Sequence, residues 1–351
     1  MSGPAETMRA AVLRGREDVV IETVPAPRAG PGEVVLRVRA ALTCGTDAKV
    51  FRRGSHAKML QPPCLFGHEY AGVVDEVGEG VTRFAVGDEV VGANSAPCGA
   101  CEPCRRGRES LCDDLLFVNG AFAERLLRPA RTVERNLYPR PAGLEPAAAA
   151  AVEPVACVLK GVELVAPEAR DTVLLLGSGS IALFFASELR SRGVDVAVLA
   201  RSADVEPLAR RMGAGDVIVA ASVADEFDAI RARSPGGRGF DVVVEAAGSG
   251  ETTEAAPRLA RKGGRVLLFG GCASDVRVTV DPARLHYEEI QVLSSFHHTP
   301  RHVKAALDAL AGGRIDPRPV MESPVGLDAL PSALRRMTTR ELRGKVPVIP
   351  L

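Results

Sequence analysis

Four of the chain's eight cysteines fall within fifteen residues, and their spacing suits a metal site. The spacing is Cys98-x2-Cys101-x2-Cys104-x7-Cys112. Four thiolates in one loop close a tetrahedral shell around Zn2+ and leave no open position, which is typical of a structural zinc. An iron–sulfur cluster also takes four thiolates, and unmetallated cysteines are a further alternative. We expect zinc, because the rest of the loop is mainly polar and the metal would serve as its core.

A second group of side chains combines a thiol, an imidazole and carboxylates, all of which bind zinc. The group comprises Cys44, Asp47, His68, Glu69 and Glu153, with the hydroxyl of Thr46 beside Cys44. Catalytic zinc takes three protein ligands and keeps a fourth position for water or substrate. Each residue alone is a weak signal, but together they suit a zinc site with an open position.

The segment Thr172–Ser202 reads as a strand, a glycine turn, a helix and a second strand. In Gly177-x-Gly179-x-x-Ala182, the first glycine permits a tight turn and the second admits a pyrophosphate, while the alanine allows close helix–strand packing. The helix N-terminus would offer free N–H groups to the phosphates. The residues assigned to this dinucleotide-binding turn are Gly177, Ser178, Gly179, Ser180 and Ile181.

The end of the second strand bears on the choice of cofactor. NAD sites usually place Asp or Glu there to bind the ribose 2′-hydroxyl. This chain has Arg201 and Ser202 instead, and a guanidinium with a hydroxyl suits a 2′-phosphate. The sequence therefore favours NADP, with NAD as the alternative in which Arg201 is solvated.

Three later apolar segments read as further strands of the same parallel sheet. They are Asp241–Gly250, Gly263–Gly271 and Glu289–Phe296. Because cofactors bind at the carboxyl ends of such strands, we also assign Ala247, Gly270 and Phe296 to the cofactor site.

Composition disfavours several function classes. The chain has 44 basic and 44 acidic residues, and zero net charge argues against a nucleic-acid-binding module. No apolar run approaches the length of a membrane span, and the start has no secretory-signal pattern. We therefore expect a cytoplasmic protein, in which reduced thiols bind metal rather than form disulfides.

The motifs and their order resemble those of the medium-chain zinc-dependent dehydrogenases, the family of alcohol, sorbitol and threonine dehydrogenases. The resemblance rests on "CGTD", "GHEYAGVVDEVGEGV", "VGDEVV", the Cys98–Cys112 loop and "EPVAC". It runs from "MRAAVL" at Met8 to "GKVPVIPL" at the C-terminus, which is nearly the whole chain. The "GHE" and "EPVAC" motifs lean towards the polyol, threonine and secondary-alcohol branch.

The resemblance implies that Cys44 and His68 bind a catalytic zinc. In the polyol branch the Glu directly after the His, here Glu69, is the third ligand, and Glu153 would reach the zinc directly or through water. Neighbouring residues on a strand point to opposite faces, so His68 and Glu69 can share a metal only if the chain bends there. Asp47 would orient the His68 ring, and Thr46 would accept the proton of the substrate.

Two lysines have roles that the resemblance leaves open. Lys345 is expected to reach the cofactor phosphates, since the family has a basic residue near this position, and the alternative is a surface lysine. Lys49 stands where alcohol dehydrogenases carry a proton-relay His, so the relay would use Lys49, the cofactor ribose or water.

The expected fold class is α/β, with two domains. Residues 1–152 would form a β-rich, GroES-like catalytic domain with the zinc loop, and residues 153–297 a doubly wound, parallel-sheet Rossmann domain. Residues 298–351 would return to the catalytic domain. Family members pair as homodimers or homotetramers through the cofactor-domain sheet, and Asp275–Asp281 is the expected edge strand.

We expect an oxidoreductase with two zinc ions per chain that transfers hydride between NADP(H) and a small secondary alcohol or polyol, with no nucleic-acid or membrane partner. Alternatives are an NAD-dependent sugar-phosphate or amino-alcohol dehydrogenase, a zinc-free reductase of the same fold, and a non-catalytic NADP sensor. The sugar-phosphate alternative rests on a basic segment that would attract an anionic substrate if it borders the site. The segment carries Lys49, Arg52, Arg53, His56 and Lys58.

Overall fold

The computed structural model describes residues 6–56 and 59–350, so Lys58 of the basic segment lies outside the described residues. The strands are β1 (Thr7–Gly15), β2 (Asp18–Pro25), β3 (Val34–Leu42), β4 (Cys64–Leu65), β5 (Glu69–Val77), β6 (Glu89–Gly92), β7 (Ser95–Ala96), β8 (Leu116–Phe117), β9 (Arg125–Arg128), β10 (Leu137–Pro139), β11 (Thr172–Leu176), β12 (Asp195–Ala200), β13 (Asp216–Val219), β14 (Phe240–Glu245), β15 (Ala260–Leu268), β16 (Gln291–Ser294), β17 (Val325–Gly326) and β18 (Pro347–Ile349).

The α-helices are α1 (Gly45–Arg53), α2 (Glu102–Arg105), α3 (Ala130–Asn136), α4 (Pro146–Ala150), α5 (Val152–Val165), α6 (Ser180–Ser191), α7 (Glu206–Arg211), α8 (Phe227–Ala232), α9 (Gly250–Leu259), α10 (Pro282–Tyr287), α11 (Pro300–Ala311) and α12 (Leu330–Thr338). Within the described ranges, none of these helices has both the length and the apolar character that a membrane crossing requires.

The chain divides into two compact units. The first comprises the described residues within Met1–Ala156, His298–Gly312 and Met321–Leu351, and the second comprises Cys157–His297 and Gly313–Val320.

The first unit is built on a mixed sheet with the order β10-β6-β5-β3-β18-β17, and β9 also pairs with β3. A smaller sheet has the order β2-β1-β4. The C-terminal strand β18 runs antiparallel to β3, with Pro347 opposite Leu42. This pairing brings the C-terminal tail beside the residues that follow β3. Buried aromatic side chains fill the core of this unit, among them Phe51, Phe66 and Phe122.

The second unit contains a six-stranded sheet with the order β13-β12-β11-β14-β15-β16, and every pair in it is parallel. Numbered within the unit, this is the 3-2-1-4-5-6 order of dinucleotide-binding folds. Its central strands are continuous apolar runs because both faces of a parallel sheet are covered by helices. The observed α/β architecture confirms the expected fold class.

Two details of the sequence interpretation were wrong. Asp275–Asp281 forms no strand, and the two edge strands of the sheet are β13 and β16. The alternating pattern there has no strand partner within the described chain, and the Thr279 N–H donates to the Glu254 carboxylate at 3.0 Å. The run "AAAAAVEPVACVLKGVEL", whose alanine-rich sequence predicts one helix leading into the second domain, breaks at Ala151 into α4 and α5. Pro154 explains the break, because it has no N–H to donate to the preceding turn.

Candidate metal centres and cofactor site

The four clustered cysteines lie in a loop between β7 and β8, which pair with each other at its base. We call this loop the thiol lobe (Cys98–Cys112). The four sulfur atoms all lie within 4.8 Å of one another. Four convergent thiols and no carboxylate or imidazole in the set fit a closed tetrahedral zinc site.

Backbone N–H groups support the sulfur atoms of the thiol lobe. Those of Ala100 and Cys101 donate to Cys98 Sγ at 3.4 and 3.3 Å, and that of Cys98 donates to Cys112 Sγ at 3.2 Å. The Ala100 and Cys101 bonds lower the pKa of the Cys98 thiol to about 6. A thiolate is the form that binds metal, so the loop backbone favours the ligand state of Cys98.

The second group converges in the first unit. Cys44 Sγ, a ring nitrogen of His68 and a carboxylate oxygen of Glu69 all lie within 4.8 Å of one another. One sulfur, one nitrogen and one oxygen donor are three ligands, which fits a zinc that keeps an open fourth position. We call these three residues the open site.

A helix N-terminus positions Cys44. Cys44 is the N-cap of α1, where its sulfur accepts the Thr46 N–H at 3.3 Å and its own N–H donates to Asp47 Oδ2 at 2.9 Å. Burial raises the pKa of the Cys44 thiol, but Lys345 and His68 outweigh it and bring the pKa down to about 7. The sulfur therefore forms a thiolate readily near neutral pH.

A bend before β5 lets His68 and Glu69 face the same point. Gly67 has a φ of +91°, and a Cβ at this position would lie 2.6 Å from the Phe122 ring. Only glycine suits this backbone and this close approach. Glu69 is the first residue of β5, whereas His68 precedes the strand. Strand alternation therefore does not separate the two side chains.

Asp47, which the resemblance expects to orient the His68 ring, lies beside that ring. Asp47 Oδ1 lies 3.1 Å from His68 Nδ1, and both side chains are buried. Burial lowers the pKa of His68, but Asp47 and Cys44 together outweigh it and raise the pKa well above the ordinary value. A proton on Nδ1, facing this carboxylate, would leave Nε2 as the metal-binding nitrogen.

The structure corrects the interpretation of Lys345. Its side chain is 2% exposed, and Nζ donates to both carboxylate oxygens of Glu69, at 2.6 and 2.7 Å, and to the Thr43 carbonyl at 3.2 Å. It is neither a surface lysine nor a free ligand for a cofactor phosphate. Burial lowers the pKa of Lys345, but Glu69, Cys44 and Glu153 together outweigh it and raise the pKa above the ordinary value. The sequence interpretation named Lys345 but missed its buried contact with Glu69 of the open site.

Glu153 lies outside the three converging residues. It stands in the first turn of α5, is buried, and its Oε1 lies 3.8 Å from His298 Nε2. His298 carries no motif signal in the sequence, and only the fold brings it to Glu153. Of the two candidate third ligands, Glu69 is the one that the structure groups with Cys44 and His68.

The glycine turn joins β11 to α6 as expected from the sequence. Gly177 has a φ of +121°, and a Cβ there would lie 3.3 Å from the Ala247 N atom. A Cβ on Gly179 would meet nothing within 4 Å, so open space lies beside the first turn of α6. Ser178, Ser180 and Ile181 are half-buried around this turn. This cradle fits a pyrophosphate, which approaches backbone N–H groups closely.

The other predicted cofactor residues follow the ends of neighbouring parallel strands. Ala247 follows β14, Gly270 follows β15 and Phe296 follows β16. A Cβ on Gly270 would lie 2.4 Å from the Gly248 N atom, so the loops after β14 and β15 touch. Arg201 is exposed directly after β12, and Ser202 is half-buried beside it.

Glu245 is a further residue that the sequence interpretation missed. This buried carboxylate ends β14 and accepts the N–H groups of Ala247 and Gly248 at 3.0 and 2.7 Å and the Thr252 hydroxyl at 2.7 Å. It therefore fixes the loop that touches Gly177. A charged residue at the end of an apolar strand was the available signal.

Comparison with known proteins shows the family of this chain. The family model "Alcohol dehydrogenase GroES-like domain" matches residues 30–137, and "Zinc-binding dehydrogenase" matches residues 179–312. D-altritol 5-dehydrogenase from Agrobacterium fabrum is 34% identical, over 85% of this chain and 86% of that protein. L-threonine 3-dehydrogenase from Deinococcus deserti is 31% identical, over 91% of this chain and 92% of that protein.

Among solved structures, a zinc-binding dehydrogenase from Sinorhizobium meliloti bound to NADP superposes with a TM-score of 0.88. It is 31% identical, and the match covers 98% of this chain and 100% of that one. The chain therefore belongs to the zinc-dependent medium-chain dehydrogenase family, in its polyol and threonine dehydrogenase branch.

Proposed function

We propose that this alcohol dehydrogenase transfers hydride between NADP(H) and a secondary alcohol or polyol, or the corresponding ketone. The observation that carries the proposal is the convergence of Cys44, His68 and Glu69 within 4.8 Å. Three donors of three kinds bind zinc and leave one position for the substrate oxygen.

The residues of the open site and its neighbours have distinct roles in the proposed reaction. Cys44, His68 and Glu69 would hold the catalytic zinc, with Glu153 as the alternative oxygen ligand. Zinc, when bound, supplies a Lewis acid that lowers the pKa of the alcohol, and the nicotinamide supplies the hydride acceptor. Asp47 keeps the His68 ring oriented through the 3.1 Å contact. The Thr46 hydroxyl accepts the substrate proton, which then leaves through Lys49, the cofactor ribose or water.

The thiol lobe would hold the second zinc, with a structural role. Its four sulfur donors complete a tetrahedral shell, so no position is left for a substrate. Two zinc ions per chain are therefore expected.

Arg201 supports NADP over NAD. It is exposed at the end of β12, where an NAD site would carry a carboxylate, and the Sinorhizobium meliloti relative is bound to NADP. Replacing Arg201→Asp should weaken NADPH binding at least about tenfold more than NADH binding, because a carboxylate repels the 2′-phosphate. Fluorescence titration of both cofactors measures this difference. Arg190→Asp, at an exposed position within α6, is the matched control, and equal losses for the two cofactors would contradict the assignment.

The substrate class is inferred from the relatives. The names D-altritol 5-dehydrogenase and L-threonine 3-dehydrogenase place the reactions of these relatives at carbon 5 of altritol and carbon 3 of threonine. Both of these carbons carry a secondary hydroxyl group. The basic segment supports the sugar-phosphate alternative, because Arg52 and Arg53 are exposed at the end of α1. A preference for a polyol phosphate over the free polyol would favour that alternative.

The proposal is tested by alcohol-dependent formation of NADPH across polyols, amino alcohols and sugar phosphates. We expect turnover of at least one secondary alcohol, lost in Cys44→Ser and kept in Cys64→Ser, whose thiol lies outside both metal sites. Turnover that persists in Cys44→Ser would contradict the zinc mechanism. Binding of NADPH without any turnover would favour a cofactor sensor.

We also propose a homodimer or homotetramer that forms through the cofactor-domain sheet. The edge strand β16 supports this, because Val292 is 41% exposed on it and an exposed edge strand offers unpaired backbone groups. Light scattering of the purified chain, with Val292→Lys as the disrupting variant, tests the proposal. A monomeric wild-type chain would contradict it.

A further inference from the structure

Arg128, the last residue of β9, is a buried cation outside both metal sites. Its side chain is 0% exposed, and its Nη2 donates to the Ala93 carbonyl at 2.8 Å. Nε and Nη1 have no hydrogen-bond partner among the described residues. The guanidinium carbon lies 4.7 Å from the centre of the Tyr70 ring, and the face of an aromatic ring attracts a cation.

No carboxylate compensates this charge in the described chain. Burial lowers the pKa of Arg128, and the one ionisable group that opposes this effect is Tyr70. An arginine nevertheless keeps its proton in proteins. An uncompensated charge in a protein core is costly, and buried charges are therefore normally paired. The described side chains provide no negative partner for this charge.

Asn94 follows Ala93, whose carbonyl accepts from Arg128, and the Ala93 N–H donates to the Asn136 carbonyl at 3.1 Å. Further buried polar atoms of the residues near this segment have no partner among the described residues. They are Tyr70 Oη, Asn94 Nδ2, Asn94 Oδ1 and Asn136 Oδ1. A Cβ on Gly92 would lie 2.5 Å from Tyr70 Oη and 2.4 Å from the Asn136 carbonyl oxygen, so the two residues meet there. When the two free nitrogens of Arg128 are included, four of the unpartnered buried atoms carry hydrogens: Arg128 Nε, Arg128 Nη1, Tyr70 Oη and Asn94 Nδ2. The other two, Asn94 Oδ1 and Asn136 Oδ1, can only accept hydrogen bonds. The group has an excess of donors as well as a positive charge.

We propose that Arg128, Tyr70 and Asn94 bind a small monovalent anion of the halide class in the core of the first unit. An anion accepts hydrogen bonds without donating any, so it corrects both the charge and the excess of donors. A water molecule donates as many hydrogen bonds as it accepts and adds no charge. The anion would stabilise the junction of β5, β6 and β9, and takes no part in hydride transfer.

Equilibrium urea unfolding of the zinc-loaded protein tests the proposal, because a buried site exchanges its anion when the unit unfolds. Sodium chloride is compared with sodium gluconate at equal ionic strength. A ligand that binds only the folded state raises stability in proportion to the logarithm of its concentration. We expect the urea midpoint to rise by roughly half a molar for each tenfold increase in chloride above its dissociation constant.

Arg128→Met removes the charge and keeps most of the side-chain volume. We expect this variant to lose the chloride dependence and, in gluconate, to be at least as stable as the wild type, because it no longer buries an unpaired cation. Tyr70→Phe keeps the ring and removes one donor, so it should retain a weaker chloride dependence. Equal midpoints for the wild type in chloride and gluconate would overturn the proposal, and this arm does not require either variant to fold.

Anomalous diffraction gives a direct view of the site. Crystals grown in sodium bromide are measured at the bromine edge, and crystals grown in sodium chloride at long wavelength. We expect a peak beside Arg128 Nε and Nη1 in at least one of the two maps. Ordered water alone at this position in both maps would overturn the proposal.

Discussion

The thiol lobe and the open site lie in the same compact unit but bring their candidate metal ligands together in two different ways. The lobe takes all its donors from fifteen consecutive residues and supports them with backbone N–H groups. The open site takes donors from a helix cap, a bend and a strand start, and ties one of them to Lys345, which is 276 residues away from Glu69. A local shell can be closed and structural, whereas a shell assembled by the tertiary fold can leave one position open for a substrate.

Cys44→Ser should have the largest effect and separates the two centres. A hydroxyl binds zinc poorly, and loss of the Lewis acid removes several kcal/mol of transition-state stabilisation. We expect turnover to fall by at least about a thousandfold, with one zinc retained in the thiol lobe. Steady-state kinetics and elemental analysis measure the two effects. Loss of both zinc ions would show that the centres are not independent.

Lys345→Met tests the long-range contact between Lys345 and Glu69 of the open site. It leaves Glu69 buried without its cation, which should destabilise the zinc-free protein by about 3–5 kcal/mol. The loss should be smaller in the zinc-loaded protein, because the metal then compensates the carboxylate. Urea unfolding with and without zinc measures the difference, and Lys345→Arg is the control that keeps the charge. Equal destabilisation in both forms would contradict a shared role of zinc and Lys345 at Glu69.

Asp47→Asn should have an intermediate effect. The amide no longer holds the His68 ring as a carboxylate does, and changes to such partners typically cost about 10–100-fold in metal affinity or activity. Chelator competition measures the affinity of the catalytic zinc, and the thiol-lobe zinc should be unaffected. Unchanged affinity and turnover would show that the 3.1 Å contact with His68 does not position the ligand.

Cys104→Ser should have the smallest effect on turnover and the clearest effect on the thiol lobe. The lobe loses its closed shell and its zinc, so thermal unfolding should begin at a lower temperature. Turnover per folded molecule, measured well below the unfolding temperature, should stay within about threefold of the wild type, since no substrate position is lost. A fall as large as that of Cys44→Ser would remove the distinction between the two centres.

The difference between local and long-range assembly also explains which features the sequence predicts. The thiol lobe and the glycine turn are local, so residue spacing sufficed to predict both. The parallel sheet followed from the apolar strands that alternate with helices. Asp275–Asp281 has the alternation of a strand, but alternation does not provide a pairing partner.

Long-range pairing accounts for what the sequence did not predict. The contact of Lys345 with Glu69 depends on β18 lying beside β3, and no local pattern marks it. His68 and Glu69 can share a metal only if the chain bends beside them. The bend occurs at Gly67, where Phe122 packs against the glycine and leaves no room for a side chain. Arg128 ends a short strand of ordinary pattern, and only the complete core reveals that it is buried.

The central claim is that the open site holds a second, catalytically essential zinc. Elemental analysis of fully active protein, taken through stepwise removal by a chelator, tests it most directly. We expect two zinc ions per chain at the start, and activity that falls in proportion to the loss of the zinc bound by Cys44, His68 and Glu69. Full activity with a single zinc confined to the thiol lobe would contradict the account.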